Sequence, residues 1–325
     1  MPMTRTLARA LPGLVAAALL SIAPVRAADT VIIGTVGSPS ANLWPLFIGI
    51  DKGFFTAENV KVDLIYIPAS ANAIQQLAAG SLDMSFSTGL VDPIRAAEQG
   101  AGLGIARFEI QAPPYALIAK PAIKSLKELK GKVISLGGPK DITRIYVERM
   151  LEPNGVKPGE FDMVFAGATA ARASALLAGA VDAAILLPPF NFQAVTAGFS
   201  DLGLTVDYAK DLPFSGTVVN VRWANAHKAL LQKLLAAHIR SVAWFEDERN
   251  RTEAVQILMA ASKLKQEDVE KAYDFMRKGQ FFEPTGKISR SKLASLAKAM
   301  VSLGDLPGAI DIDRVLLPGV TQVAD

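Results

Sequence analysis

The sequence predicts an α/β protein of two doubly wound lobes joined by a two-segment hinge, and three observations carry that prediction. β-rich runs alternate with helical patterns along most of the chain, which implies parallel β-α-β units with right-handed crossovers. One set of landmarks occurs twice, about a hundred residues apart. Two short β-rich runs, 116–119 and 216–221, break the alternation at the joins between the sets.

The first element is an export signal. Arg5 and Arg9 form a basic start, residues 11–22 are a short apolar run, and Val25-Arg26-Ala27 places small residues where a signal peptidase reads, so cleavage is expected after Ala27. An apolar run of that length falls short of the roughly 20 residues of a membrane-spanning helix. The chain contains no Cys. It therefore lacks both a lipid-bearing cysteine and disulfides, and the expected product is a free periplasmic protein.

Loss of Arg5, Arg9 and Arg26 reduces the 34 basic residues to 31, matching the 31 acidic ones. A balanced chain has no nucleic-acid footprint and no polybasic membrane patch. The remaining length suits two compact units and a monomer.

Each lobe reads strand, glycine turn, helix, strand, turn, helix, strand. In the first, the β-rich run 31–36 ends in Gly37-Ser38-Pro39, a second strand spans 62–67, and Leu77-Ala78-Ala79-Gly80-Ser81-Leu82-Asp83 leads into a strand at 84–86. In the second, 133–136 ends in Gly137-Gly138-Pro139, a strand spans 163–166, and Leu176-Leu177-Ala178-Gly179-Ala180-Val181-Asp182 leads into 183–187. In both, a glycine free to adopt the left-handed cap ends a helix and a strand follows at once. Asp83 and Asp182 read as structural.

A helix over 93–99 and a strand over 103–108 complete the first pattern. Lobe one is expected to hold 28–114 and 217–325, and lobe two 115–216. The tail reads as helices over 226–248, 252–261, 266–276 and 289–301, packed on lobe one, with Asn225 as a helix cap.

Open α/β sheets bind ligands beyond the carboxyl ends of their strands, and two such edges across a hinge form a closable cleft. The loops at those ends nominate Ser38, Asn42, Trp44, Ser70, Ser87, Thr88 and Arg107 from lobe one. Lobe two offers Gly138, Lys140, Asp141, Thr169, Pro189 and Phe190. Unpaired amides at helix N-termini favour an anion without any Lys or Arg, and Trp44 and Phe190 offer a sandwich for a planar group. Each nomination has a plainer reading: the hydroxyls as helix caps, Trp44 as core, and Lys140 and Arg107 as solvated charges.

Catalytic signals are thin. His227 and His238 lie on one predicted helix and read as surface residues. With no Cys and two His, no zinc set or Cys nucleophile is expected. There is no G-x-S-x-G elbow or phosphate-binding Walker loop. No metal and no cofactor is expected.

Several segments, in order, resemble the transporter receptors that include nitrate, sulfonate and taurine binders and thiamine-pyrimidine-precursor-like proteins. They are W-P-L-F-I-G-I-D-K-G-F-F at 44–55, E-N-V-K-V at 58–62, the two glycine-aspartate segments, I-K-S-L-K-E-L-K-G-K-V at 123–133, and Ala243-Trp244-Phe245. The resemblance implies a type II-like bilobal periplasmic-binding fold. It implies a receptor that delivers its ligand to the permease and ATPase of an ABC importer. The helix starts, together with Trp44 and Phe190, point to a small organic anion, a sulfonate or carboxylate with room for an aromatic ring. The resemblance also assigns ligand loops to 37–44 and 137–143. Here Pro139-Lys140-Asp141 replaces the family's small hydroxyl residues, and Asp141 brings a negative charge towards the cleft. The same fold hosts enzymes, such as pyrimidine-precursor synthases and dehydratases, and sensor accessories of membrane kinases.

Overall fold

A computed structural model describes residues 28–37 and 39–325 of the chain. The expected signal peptide, 1–27, and Ser38 lie outside the described residues.

Lobe one opens with β1 (Asp29–Val36), α1 (Trp44–Asp51), β2 (Val60–Ile67), α2 (Ser70–Ala79), β3 (Met84–Gly89), α3 (Val91–Glu98) and β4 (Leu103–Ile110). Lobe two runs through β5 (Ala116–Ala119), β6 (Val133–Leu136), α4 (Ile142–Leu151), β7 (Asp162–Phe165) and α5 (Thr169–Leu177). It finishes with β8 (Ala183–Leu186), α6 (Phe190–Thr196), β9 (Ser200–Leu204) and α7 (Val206–Ala209). The chain then returns through β10 (Ser215–Asn220) to α8 (Val221–Ala226), α9 (Lys228–Glu246), α10 (Arg251–Ser262), α11 (Gln266–Lys278) and α12 (Arg290–Ser302).

The two five-stranded sheets share one plan, β2-β1-β3-β10-β4 and β7-β6-β8-β5-β9. In each, three parallel strands are followed by an antiparallel one in fourth place, supplied by the segment that crosses between lobes. All residues of β4, β5, β8 and β10 are buried. This is why their sequences are continuous runs of mostly apolar or small residues rather than alternating ones.

The repeated aspartates act as matched pins. The Ile32 amide donates to Asp83 Oδ2 at 2.8 Å, and the Asp83 amide donates back to Ile32 O at 3.1 Å. In lobe two, the Val133 amide donates to Asp182 Oδ2 at 3.0 Å, and the Asp182 amide to Val133 O at 2.8 Å. Each pin ties the aspartate just before one strand to the neighbouring strand, β3 to β1 and β8 to β6. Gly80 and Gly179 end those helices at φ +78° and +74°, the left-handed region that glycine enters without strain.

Two tail features differ from the sequence reading. The helix cap is Asn220, whose side chain accepts from the amides of Arg222 and Trp223; Asn225 caps nothing, because a short α8 precedes the long helix. The tail also packs beyond lobe one. α11 rests on α6 of lobe two, with Phe275 edge-on to Phe192 and Thr196 donating to Asp268 at 3.0 Å.

Candidate functional site

The carboxyl ends of both sheets face a shared cavity of about 50 Å³. Lobe one contributes Ser40, Asn42, Ser70 and Ser87, and lobe two Tyr115, Gly137, Asp141, Thr169 and Arg172. The cavity is far smaller than the few hundred Å³ of ordinary ligand clefts, because the lobes touch around it. The Ala41 amide donates to Pro188 O at 2.9 Å, and Arg95 Nη2 donates to Lys140 O at 2.9 Å.

Two helices begin at this cavity, one from each lobe, in equivalent places. α2 starts at Ser70 behind Ala69, and α5 at Thr169 behind Ala168. Neither Ala has a side chain able to cap the helix, and both line the cavity. The first turns therefore present amide N–H groups and the positive ends of two helix dipoles to one space. Thr169 Oγ1 accepts from the Leu187 amide at 3.0 Å, which ties the start of α5 to the end of β8.

Arg172 follows one turn into α5 and is 3 % exposed. Its Nε donates to Ile185 O at 2.8 Å and its Nη1 to Gly167 O. These carbonyls fix the guanidinium in place without neutralising it. Its Cζ lies 5.8 Å from the Tyr115 ring centre, and the Tyr115 ring is held edge-on by Phe214 at 5.0 Å. Burial pushes the Tyr115 phenol well up despite the nearby Arg172 charge, so it stays a neutral donor.

The opposite wall is a chain of neutral hydrogen bonds. Ser40 Oγ donates to Asn42 Oδ1, Asn42 Nδ2 donates to Ser87 Oγ at 2.9 Å, and Ser87 Oγ meets Ser215 Oγ at 3.1 Å. Ser87 has φ +52°, a conformation costly for a non-glycine residue. Its amide is held by buried Glu109, whose Oε1 accepts from Ser87 N at 3.1 Å and from Thr217 Oγ1 at 2.6 Å. Burial raises the Glu109 carboxyl, against the lowering effects of Arg107 and these hydrogen bonds. Asp141 is turned towards its own helix, accepting from the Thr143 amide at 2.9 Å and the Thr143 hydroxyl at 2.5 Å. That cap turns the carboxylate onto the start of α4, while its charge still bears on Tyr115 across the cavity.

The cavity thus gathers Asn42, Ser70, Ser87, Asp141 and Thr169 of the nominated residues. Its glycine wall is Gly137 rather than Gly138. Trp44 is fully buried between α1 and the tail helices, its Nε1 donating to Ala254 O at 2.7 Å. Thr88 is fully buried and hydrogen-bonded to Ser85. Phe190 packs in the lobe-two core beside Leu186, and Leu187 reaches the cavity where Pro189 does not. No aromatic sandwich of Trp44 and Phe190 exists. Lys140 sits at the rim, 3.9 Å from Asp305 of lobe one. Arg107 lies on a different flank of lobe one. His227 is exposed as expected, but His238 is 1 % exposed, stacked on Phe86 and 3.8 Å from Glu109.

Sequence reasoning reaches Ser40 only as part of the loop at 37–44 and passes over Tyr115 and Arg172. Arg172 carried a usable signal, because a residue three positions after Thr169 shares its helix face. Tyr115 adjoins the hinge, between Pro114 and β5, where nothing local to the sequence shows that its ring turns into the cleft.

The NMT1/THI5-like family model matches residues 40–249. No curated protein matches the sequence significantly. Among solved structures, the alkanesulfonate-binding protein SsuA of Xanthomonas axonopodis pv. citri, bound to MOPS, is 19 % identical, with a TM-score of 0.73 over 91 % of this chain and 99 % of that one. The periplasmic aliphatic sulphonate-binding protein SsuA of Escherichia coli is 20 % identical, with a TM-score of 0.70 over 91 % and 94 %. The desulfurization enzyme DSZB is 14 % identical, with a TM-score of 0.65 over 90 % and 97 %. These likenesses establish the bilobal periplasmic-binding-protein fold, and the family match covers both walls of the cavity from Ser40 to Arg172. The chain belongs to the NMT1/THI5-like family.

Proposed function

We propose that this protein is an extracytoplasmic solute-binding protein that holds a small organic anion, sulfonate or carboxylate, between its lobes for an ABC importer. The carrying observation is the convergence of two helix starts without side-chain caps, at Ser70 and Thr169, beside the buried Arg172. An anionic head group supplies acceptors to those amides and a counter-charge to the guanidinium. Sulfonate-binding relatives of the same fold support the head-group class. Both histidines lie away from the cavity, which favours holding over acid–base turnover.

The test is a thermal-shift screen of residues 28–325, unfolded and refolded to strip any carried-over ligand. The panel contains alkanesulfonates, aliphatic and aromatic carboxylates, pyrimidines and inorganic oxyanions. A ligand specific to the folded state adds roughly 2.7 kcal/mol at a hundredfold excess over its dissociation constant. A saturable shift confined to organic anions is expected. A shift with neutral pyrimidines alone would remove the anion assignment, and turnover of a bound anion would replace the binding role with an enzymatic one.

A further inference from the structure

We infer that the outer flank of lobe one carries a second ligand site, separate from the cleft, that takes a small monocarboxylate with an apolar body. The site is a pocket of about 310 Å³ between β4, α9, the turn at 285–286 and the last residues of the chain. Its floor is Arg107, 2 % exposed. The guanidinium is held by carbonyls only: Nε donates to Phe108 O at 3.1 Å and Nη2 to Glu283 O at a long 3.4 Å. Nη1 is buried with no hydrogen-bond partner. A buried cation with an orphaned donor is costly unless something pairs with it.

Two acids act on Arg107 and neither closes the account. Glu283 turns its carboxylate to Thr285, accepting from the Thr285 amide at 2.9 Å and the Thr285 hydroxyl at 3.0 Å. Glu109 directs Oε1 to Ser87 and Thr217, and its Oε2 is 3.8 Å from His238. Among the described residues, no carboxylate forms an ion pair with Arg107. The backbone is shaped to let the guanidinium through: Gly286 has φ +76°, and a Cβ there would stand 3.0 Å from Arg107 Nε. Any side chain at 286 presses on the cation.

The walls define the ligand. Leu235, Ala236, Ile239 and Val320 are apolar, while Gln232 and Gln322 are exposed at the rim. One guanidinium and no lysine suit a single negative charge rather than phosphate. The volume lies at the lower end of small-molecule pockets.

The test is titration of hexanoate, with hexylammonium and hexanamide as controls, followed by amide NMR shifts at Gln232 and Thr285. Saturable shifts with hexanoate alone are expected. Ala236→Trp, an exposed helical position that overhangs the pocket, should weaken them at least tenfold, and Ala168→Trp in the cleft should leave them unchanged. Arg107→Gln, checked for folding by near-ultraviolet circular dichroism, should abolish the preference for hexanoate over hexanamide. No saturation, or loss with Ala168→Trp but not Ala236→Trp, overturns the proposal. So does full hexanoate affinity in a folded Arg107→Gln protein. If that variant does not fold, Ala236→Trp decides.

Discussion

At the scale of single residues, Trp44 shows how a side chain can look functional and be structural. It follows a glycine loop and opens a helix, the usual position of a ligand contact. Yet its ring meets Phe245 at 5.2 Å and Tyr273 at 5.8 Å, deep under the tail helices. Trp44→Ala should therefore cost about 3–5 kcal/mol of stability, read by urea denaturation, with ligand affinity secondary. Ser70→Ala should behave inversely, with a stability change of about 1 kcal/mol at most and a weaker cleft. His238 sets an acid limit. Burial, and then the Arg107 charge, hold its pKa well below the usual 6.5. As pH falls through 6.5 the unfolded chain takes a proton that the folded chain refuses, so stability declines by up to about 1.4 kcal/mol per pH unit from this group. Glu109, raised by burial, contributes with the opposite sign at pH values above its unfolded pKa, because the folded carboxyl takes its proton first as pH falls. Denaturation midpoints from pH 7 to 5 should fall faster in the wild type than in His238→Gln; equal slopes would count against a neutral buried imidazole.

Elements were more legible than side chains. β5 and β6 fall where β-rich composition places them and the other expected strands shift by three residues at most, but β9 has no counterpart in the sequence reading. Alternating periods and glycine stops depend on the local chain, which a sequence displays directly. The direction in which a loop residue points depends on partners a hundred residues away, and a sequence does not display these. That is why Phe190 and Thr88 were nominated and Arg172 was not. The aspartate pins carry an element-scale prediction. The Val133 amide, and then Lys120, lower the Asp182 carboxyl, so its contribution is complete above the unfolded value near 3.9 and disappears as pH falls below it. Asp182→Ala should destabilise lobe two by about 1–2 kcal/mol at pH 7, with the difference shrinking below pH 4. A constant difference would show that the lost contact is not the ionised one.

For the whole molecule, closure is a matter of small residues meeting across the cleft. Gly167 has φ +69°, and a Cβ there would lie 2.6 Å from Pro68 O of the other lobe. Gly167→Val should hold the lobes apart, giving a larger radius of gyration by small-angle scattering and at least a tenfold loss of ligand affinity. An unchanged radius would place closure elsewhere, at the Arg95–Lys140 or Thr196–Asp268 contacts. The sheet order also has a temporal side. β10 lies between β3 and β4, so the first sheet to begin is the last to be finished. β4 finds its neighbour only after residue 215 has emerged, whereas β5 to β9 are contiguous in the chain and can assemble meanwhile. Late long-range pairing of this kind slows folding. Pulse-labelled hydrogen exchange should therefore find the amides of β6 and β8 protected before those of β4. Until its last strand slots in, half of the ligand site has no rigid backing, and a chain interrupted before residue 220 would carry a built lobe two and an unfinished lobe one.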